Sequence, residues 1–194
     1  MKKIGQFIYP WGNGHYSRMM KLNEKMPKYL KGEYEMYYFS KGEIYKKLLE
    51  KFPDKKHNIQ EILMPTPIDG KYGPSVSLSI LNVFFPVGSN QSLVNQVKNY
   101  MKKERKAYDK EKFDLVINDG DMGSNVLANN RGIPSLFVTN QYLPRLWKSR
   151  GYFYPGVYFI SKQIAKASRI LVADSAPPYT ICEYNLNFPN SVKD

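Results

Sequence analysis

Short apolar runs alternate along this chain with segments in which apolar residues recur every three or four positions. The first run covers residues 3–9 and ends at Pro10, so it is bounded like a buried strand. From Tyr16 to Leu30 the apolar residues fall at helical spacing, while lysines and glutamates occupy the other face. The start of the chain is therefore predicted to form a strand, a glycine-containing turn and a helix.

The same alternation continues along the rest of the chain. Further strands are predicted at 34–39, 59–64, 114–118, 135–139 and 169–173, and further helices at 42–52, 91–108, 123–131 and 157–167. Strands that alternate with helices indicate a Rossmann-like α/β fold, with a mainly parallel sheet and helices on both faces. We expect one such domain over residues 1–186, and we expect residues 187–194 to begin a linker.

The amino-acid composition limits the classes of protein to which this chain can belong. The chain has 194 residues, of which 42% are hydrophobic, so it is able to bury a core of its own. The lone Cys182 excludes an intramolecular disulfide framework, and two histidines are too few for a His-rich metal site. No run approaches the ~20 apolar residues of a membrane span, and the first residues lack the apolar run of a signal peptide. A cytoplasmic location is therefore expected.

The charge balance indicates the chemistry of the partners. Lysine and arginine number 29 against 17 aspartates and glutamates, which gives a net charge of +12. Such an excess favours anionic partners: phosphates, anionic lipid or nucleic acid. Basic and aromatic residues alternate over 142–158, but no recognised nucleic-acid-binding module accompanies them. Nucleic acid is therefore the least favoured of the three.

Polar residues follow several of the predicted strands. In open α/β sheets, ligands bind outside the carboxyl ends of the strands, so these residues are expected along one edge. The candidate site consists of Gly12, Asn13, Gly14, His15, Arg18, Asp119, Asp121, Asn140 and Gln141. No metal ligands are expected among them.

The loop after the first strand carries the sharpest signal. Gly12 and Gly14 permit a tight turn, and the free amides at the start of the next helix make an anion site. His15 is a candidate general base, which Asp119 at the end of another strand could orient. Two plainer interpretations stay open: His15 as a helix cap, and Asp119 and Asp121 as turn or N-cap residues.

Other motifs of this fold class are missing. A dinucleotide fingerprint would need a third glycine where Ser17 stands, and an acidic residue after the second strand, where the chain reads 40–42 Ser-Lys-Gly. The phosphate-loop pattern and the Gly-x-Ser-x-Gly motif of α/β hydrolases are also absent. These absences argue against a dinucleotide-dependent enzyme, a nucleoside triphosphatase and a serine hydrolase.

Two segments have both a structural and a functional interpretation. The apolar stretch 77–85 is predicted to pack in the core, with contact to a lipid acceptor as the alternative. The basic face of the helix at 91–108 is predicted to be a solvated surface, with lipid headgroups as the alternative partner.

Three motifs together resemble a known family. Residues 12–18 read Gly-Asn-Gly-His-Tyr-Ser-Arg after a strand, and residues 114–120 and 132–141 match later motifs in the expected order. The chain is similar to the start of GT-B glycosyltransferases of the family 28 kind, which include muropeptide N-acetylglucosaminyltransferases and diacylglycerol glycosyltransferases. In that family an N-terminal domain mainly binds the acceptor, and a C-terminal domain mainly binds the nucleotide-sugar donor.

The resemblance implies a function and its site. His15 would be the base that activates an acceptor hydroxyl, Asp119 would orient it, and Gly12 and Gly14 would lie near the donor diphosphate. Transfer from a nucleotide-sugar, expected to be a UDP-sugar, would invert the anomeric centre without a metal or other cofactor. The acceptor would be a lipid or a small molecule, handled at the inner face of a membrane. The donor-binding domain has no counterpart in this chain, so the fragment alone is expected to be inactive.

Two other functions stay open. The first is a nucleotide-sugar 2-epimerase of the same fold, which would use acidic residues rather than His15 at its centre. The second is a non-catalytic basic module that binds anionic lipid or polymer through its positive charge.

Overall fold

The structure is a computed structural model that describes residues 1–71, 73–140, 154–175 and 179. Its strands are β1 (Lys2–Ile8), β2 (Tyr34–Ser40), β3 (Ile59–Glu61), β4 (Asp69–Gly70), β5 (Gly73–Pro74), β6 (Leu115–Asp119), β7 (Ser135–Thr139) and β8 (Arg169–Val172). Its helices are α1 (Asn13–Lys25), α2 (Gly42–Lys51), α3 (Val76–Leu81), α4 (Leu93–Glu111), α5 (Met122–Asn130) and α6 (Tyr154–Ile164), with 3-10 turns at Met26–Lys28 and Pro53–Asn58. The linker expected at 187–194 lies outside the described residues.

Within these residues, six strands form one sheet in the order β3-β2-β1-β6-β7-β8. Every pairing in this sheet is parallel, and β4 and β5 form a separate small antiparallel hairpin. The chain order reverses direction across the sheet between β1 and β6, which are direct neighbours. The predicted Rossmann-like α/β fold is confirmed, and its carboxyl edge opens beside the two central strands.

The core has two layers because the side chains of each strand alternate between the faces of the sheet. On one face Ile8 and Ile117 pack with residues of α1 and α2 such as Met19. On the other face the Phe7 ring stacks on Phe39 with centroids 4.4 Å apart, among residues of α4 and α5. Burial of each large apolar side chain contributes roughly 1.5–3 kcal/mol, so both layers hold the central strands in place.

Helix α1 begins three residues earlier than the pattern of apolar residues predicts. Gly12 adopts φ +77° immediately before it, and Asn13 is already helical. The helix ends at Lys25, because Pro27 follows within a 3-10 turn and lacks the N–H that a continuing helix needs. The shift matters for function, since it places Gly14 and His15 inside the first turn of the helix.

Residues 77–85 do not pack in the core, so that prediction was wrong. The side chains of Phe84 and Phe85 are 73% and 62% exposed, and Leu81 is also largely exposed. The nearby face of the sheet is already covered by residues of α4 and α5, such as Tyr108 and Leu127. In the described part of the chain, most apolar side chains of the segment therefore face solvent.

Helix α4 buries only part of the apolar stripe that its helical spacing predicts, which consists of Leu93, Val94, Val97, Tyr100 and Met101. Tyr100 is buried as expected, but Val94 and Val97 near the start of the helix are exposed. The buried face continues through Glu104 and Ala107 instead. In the part of the chain that the structure describes, none of the helices combines the length and the apolar character needed to cross a membrane.

Candidate functional site

The candidate site lies where β1 and β6 end side by side. Ile8, the last residue of β1, is paired with Asp119, the last residue of β6. Asp119 points to the same face of the sheet as Ile117, which is the face that α1 covers. Gln6 and Asn23 exchange two side-chain hydrogen bonds of 2.9 Å, which fix α1 against β1. The first turn of α1 is thereby held above the Asp119 carboxylate.

His15 and Asp119 are in direct contact, as the sequence predicts. Nδ1 of His15 lies 2.6 Å from Oδ1 of Asp119. Because a carboxylate oxygen only accepts hydrogen bonds, Nδ1 carries the hydrogen in this contact, and in the neutral form of the ring Nε2 would hold the lone pair. None of the described residues hydrogen-bonds Nε2, and the His15 side chain is 24% exposed, whereas Asp119 is 0% exposed. A ligand can therefore reach Nε2 of His15, whereas the carboxylate of Asp119 is inaccessible to it.

Arg18, which is also on α1, makes two hydrogen bonds to Asp119. Its Nε donates to Oδ2 of Asp119 at 2.9 Å, and its Nη2 donates to Oδ1 at 2.7 Å. His15 and Arg18 are three residues apart and so share one face of α1. The sequence predicts that Arg18 binds a ligand, and in the structure its Nε and Nη2 contact Asp119.

Tyr9 and Gly120 form the wall behind the imidazole. The Tyr9 ring meets the His15 ring edge-on, with centroids 5.5 Å apart. The Tyr9 hydroxyl donates to the carbonyl of Pro65, and burial raises the pKa of Tyr9, so this wall is uncharged at neutral pH. Gly120 adopts φ +82°, which turns the chain sharply after Asp119.

The glycine loop leaves an open space at the start of α1. A Cβ atom added to Gly12 or Gly14 would meet no other atom within 4 Å. No side chain caps the amides of the first turn, which also holds no acidic residue. Asn13 instead accepts a hydrogen bond of 2.8 Å from Nζ of Lys47 on α2. The loop can therefore accept an anionic group close to the backbone.

Asp121 makes contacts that differ from those of His15, Arg18 and Asp119. The Asp121 carboxyl is buried, and it accepts from the amides of Gly123 and Ser124 as the N-cap of α5. Asp121 is therefore an N-cap residue, which is the structural role that the sequence left open beside ligand binding. Asn140 follows β7 and is partly buried, and Gln141 lies outside the described residues.

The buried carboxyl group of Glu104 was not predicted from the sequence. Glu104 on α4 is fully buried, and its carboxyl group lies beside that of Asp121 and the Tyr100 hydroxyl. Burial, and next the nearby Asp121, raise the pKa of Glu104 well above 4.5. Tyr100 donates to Asp121 beside it. The only signal in the sequence was the helical spacing of Glu104 between Tyr100 and Tyr108, which puts all three on one face.

Among residues 1–71, 73–140 and 154–175, no three His, Cys, Asp or Glu side chains are grouped so that they could hold a metal ion. The site combines a partly exposed imidazole, a buried carboxylate paired with Arg18, and open backbone amides.

Several solved structures have the same fold as this chain. A UDP-N-acetylglucosamine 2-epimerase matches 90% of this chain with a TM-score of 0.55 and 15% identity. MurG from Acinetobacter baumannii matches the whole chain with a TM-score of 0.51 and 13% identity. The UDP-GlcNAc 2-epimerase from Neisseria meningitidis, bound to UDP-GlcNAc, matches 89% with a TM-score of 0.51 and 13% identity.

The chain spans less than half of each of these proteins, namely 42%, 44% and 40% of their lengths. No family model and no curated protein matches the sequence itself. At identities this low the likeness shows the fold alone. The chain has the fold of one half domain of the GT-B architecture.

Proposed function

We propose that this chain is the acceptor-binding half of a nucleotide-sugar-dependent glycosyltransferase in which His15 is the general base. The observation that carries the proposal is the contact between Nδ1 of His15 and the buried Asp119, which leaves Nε2 unoccupied at the carboxyl edge of the sheet. A general base must keep a lone pair in reach of the acceptor, and Nε2 of a neutral His15 would do so.

The reaction follows from that arrangement. Nε2 of His15 takes the proton of the acceptor hydroxyl as its oxygen attacks the anomeric carbon of the sugar. The bond between that carbon and the diphosphate oxygen breaks, and the nucleoside diphosphate leaves with the electron pair. Attack opposite to the leaving group inverts the anomeric centre. General base catalysis of this kind contributes roughly 10²–10⁴-fold to the rate.

The glycine loop supports the leaving group in this proposal. Negative charge grows on the diphosphate as the bond breaks, and the uncapped amides of α1 are placed to stabilise it without a metal ion. A donor-binding half would supply most contacts to the nucleotide. The 194-residue chain alone is therefore expected to bind acceptor and to transfer little or no sugar.

An exposed apolar surface favours a membrane-bound acceptor. We define the α3–α4 patch by its exposed apolar side chains, which are Leu78, Ile80, Leu81, Phe84, Phe85, Val94 and Val97. Its two parts are joined by backbone hydrogen bonds from Leu93 to Asn82 and from Val94 to Val83. Exposed lysines, among them Lys98 and Lys102, follow on α4. Apolar side chains beside basic ones fit an anionic lipid surface.

The rival 2-epimerase would need carboxyl groups that reach the substrate. Asp119 is fully buried and occupied by His15 and Arg18. Asp121 and Glu104 are buried on the other face of the sheet, where they face each other and Tyr100. These three carboxyl groups are thus withheld from a ligand, which favours transfer with His15 as base over epimerisation by acids.

The test uses the protein encoded by the complete reading frame, with UDP-GlcNAc as donor and either diacylglycerol micelles or a small alcohol as acceptor. Acceptor-dependent release of UDP supports transfer, and His15→Ala is expected to lower it by about 10²–10⁴-fold. His57→Ala is the matched control, because His57 lies in the 3-10 turn directly before β3, at the amino edge of the parallel sheet rather than its carboxyl edge. Conversion of the donor to its 2-epimer without release of UDP would establish the rival function instead.

A further inference from the structure

Two hydrogen-bond donors converge on a single oxygen in the candidate site. Oδ1 of Asp119 accepts from Nδ1 of His15 at 2.6 Å and from Nη2 of Arg18 at 2.7 Å. The two nitrogens themselves are only 3.1 Å apart. Because Nδ1 carries its hydrogen toward Asp119, and a guanidinium has no lone pair to accept one, this short distance is not a hydrogen bond. A fixed positive charge lies directly against the imidazole.

We infer that Arg18 is a positioning residue that keeps His15 uncharged and its Nε2 lone pair available, by balancing the charge of Asp119 and by facing the imidazole with a cation. The role of Arg18 in supporting a general base rests on the proposed function. The effect of Arg18 on the charge of His15 does not, since it depends only on the contacts among His15, Arg18 and Asp119.

The electrostatic reason is the burial of Asp119. A lone carboxylate with no exposure to water would strongly favour an imidazolium beside it, because opposite charges attract more in a medium of low dielectric constant. An imidazolium has no lone pair and is unable to take a proton from an acceptor. With Arg18 in place the carboxylate is already neutralised, and a second positive charge on His15 would be repelled.

No other charge among the described contacts of His15 offsets this balance. Tyr9 from β1 contributes a ring that stays neutral, because burial raises its pKa. Gly120 after β6 contributes no side chain. Lys47 from α2 reaches the first turn of α1 at Asn13, where it adds positive charge rather than negative. The ionic surroundings of His15 are therefore set by Asp119 and Arg18.

Arg18 also fixes the orientation of the carboxylate. Its Nε holds Oδ2 at 2.9 Å while its Nη2 holds Oδ1, so the plane of the carboxylate is set by a two-point contact. Lysine would keep the positive charge but make only a single point contact. Glutamine would keep a hydrogen-bond donor but remove the charge. These two substitutions separate the roles of charge and orientation.

The test is nitrogen NMR of the imidazole rings in the 194-residue chain at one slightly alkaline pH. The chain has two histidines, so His57 is an internal reference in every spectrum. The wild type is expected to show His15 as a neutral ring with hydrogen on Nδ1. Arg18→Gln is expected to convert His15 to the imidazolium, and Arg18→Lys to keep it neutral with a mixture of the two tautomers.

The matched control is Lys21→Met, which removes a cation from the same helix one turn later, where Lys21 pairs only with the exposed Glu24. It should leave the His15 signals unchanged. The inference is overturned if the wild type already shows an imidazolium, or if Arg18→Gln leaves the ring neutral. The wild-type spectrum alone decides the first point, even if a variant fails to fold.

The two proposals fail separately. If His15→Ala retains full transfer while the spectra behave as expected, the base assignment is lost and the charge balance stands. If transfer depends on His15 but Arg18→Gln leaves the ring unchanged, the base stands and the role of Arg18 is lost.

Discussion

Gly120 and His15 lie so close that a Cβ atom added to the glycine would stand 3.1 Å from Cε1 of the imidazole. The same Cβ atom would stand 2.8 Å from Cβ of Tyr9, and Gly120 also adopts φ +82°. Glycine is thus needed here both for the backbone and for the space beside it. Since Gly120 directly follows Asp119, this close approach allows the carboxylate and the imidazole to meet.

Gly120→Ala is therefore expected to damage the site more than an ordinary glycine substitution does. A left-handed backbone costs an alanine roughly 1–2 kcal/mol, and the contact with Tyr9 adds to that cost. Gly132→Ala is the matched control, because Gly132 has φ +65° but open space around it. Urea unfolding should show a larger loss of unfolding free energy for Gly120→Ala. Equal losses of unfolding free energy in the two variants would mean that the close packing at Gly120 does not contribute to stability.

Asp119→Asn should destabilise the fold as well as the site. The substitution leaves the Arg18 guanidinium without its anionic partner, and breaking a buried ion pair typically costs about 3–5 kcal/mol. Arg18 is itself a quarter exposed, so the lower end of that range is expected. The measurement is the free energy of unfolding in urea.

The chain offers a matched comparison for that substitution. Asp109 accepts from Nη2 of Arg131 at the same distance of 2.7 Å, but its side chain is 66% exposed. An exposed pair is worth about 0–1 kcal/mol, so Asp109→Asn should cost correspondingly little. Similar losses for the two variants would contradict the special role of burial at Asp119.

The buried Glu104 should make stability fall as pH rises. Burial, and next the nearby Asp121, raise the pKa of Glu104 in the folded protein well above the usual 4.5, although Tyr100 and Arg131 act against the shift. Between those two pKa values the folded protein holds a proton that the unfolded chain has released. Raising the pH through this interval therefore favours unfolding. Glu104→Gln should remove much of this loss, as measured by unfolding free energies from pH 4.5 upward.

Glu111 on the same helix provides a control of opposite sign. Burial alone would raise the pKa of Glu111, but Lys110 and Lys3 outweigh it and lower the pKa below 4.5. Its contribution to stability is present above pH 4.5 and is lost as the pH falls through its pKa in the folded protein. Glu111→Gln should thus lower stability at neutral pH. The interpretation of Glu104 fails if both glutamine variants change the pH profile in the same direction.

The sequence predicted the elements of the fold well because their periodicities are local. The β1-turn-α1 unit, for example, follows from an apolar run, Pro10 and the helical spacing after Tyr16. The same pattern could not show that Phe84 stays exposed. That outcome depends on which helices already cover the sheet, and several elements compete for the same surface.

The candidate site was predictable only in part for the same reason. His15 and Asp119 could each be placed at a strand end, but their contact requires β1 and β6 to be neighbours. Strand order is a long-range property that no local pattern records. Arg18 was predicted from its place in a motif, but its two contacts with Asp119 depend on side-chain geometry that the motif does not record.

The α3–α4 patch gives the last prediction, which concerns binding to lipid vesicles. Phe84 and Phe85 are the most exposed aromatic side chains of the patch. Each should insert its ring into the lipid interface, where burial of a phenylalanine is worth roughly 1.5–3 kcal/mol. Replacing either one by serine should weaken binding to vesicles that contain phosphatidylglycerol by about tenfold or more. Vesicle flotation measures the effect directly.

The control separates this patch from ordinary exposed aromatic residues. Tyr29 is 79% exposed but lies after the turn that ends α1, away from the patch. Tyr29→Ser should leave vesicle binding unchanged, and wild-type binding should weaken as salt screens the lysines of α4. If the two phenylalanine variants bind as the wild type does while salt still releases the protein, charge alone accounts for binding. The apolar side chains would then have no part in it, and a soluble acceptor would be favoured over a lipid.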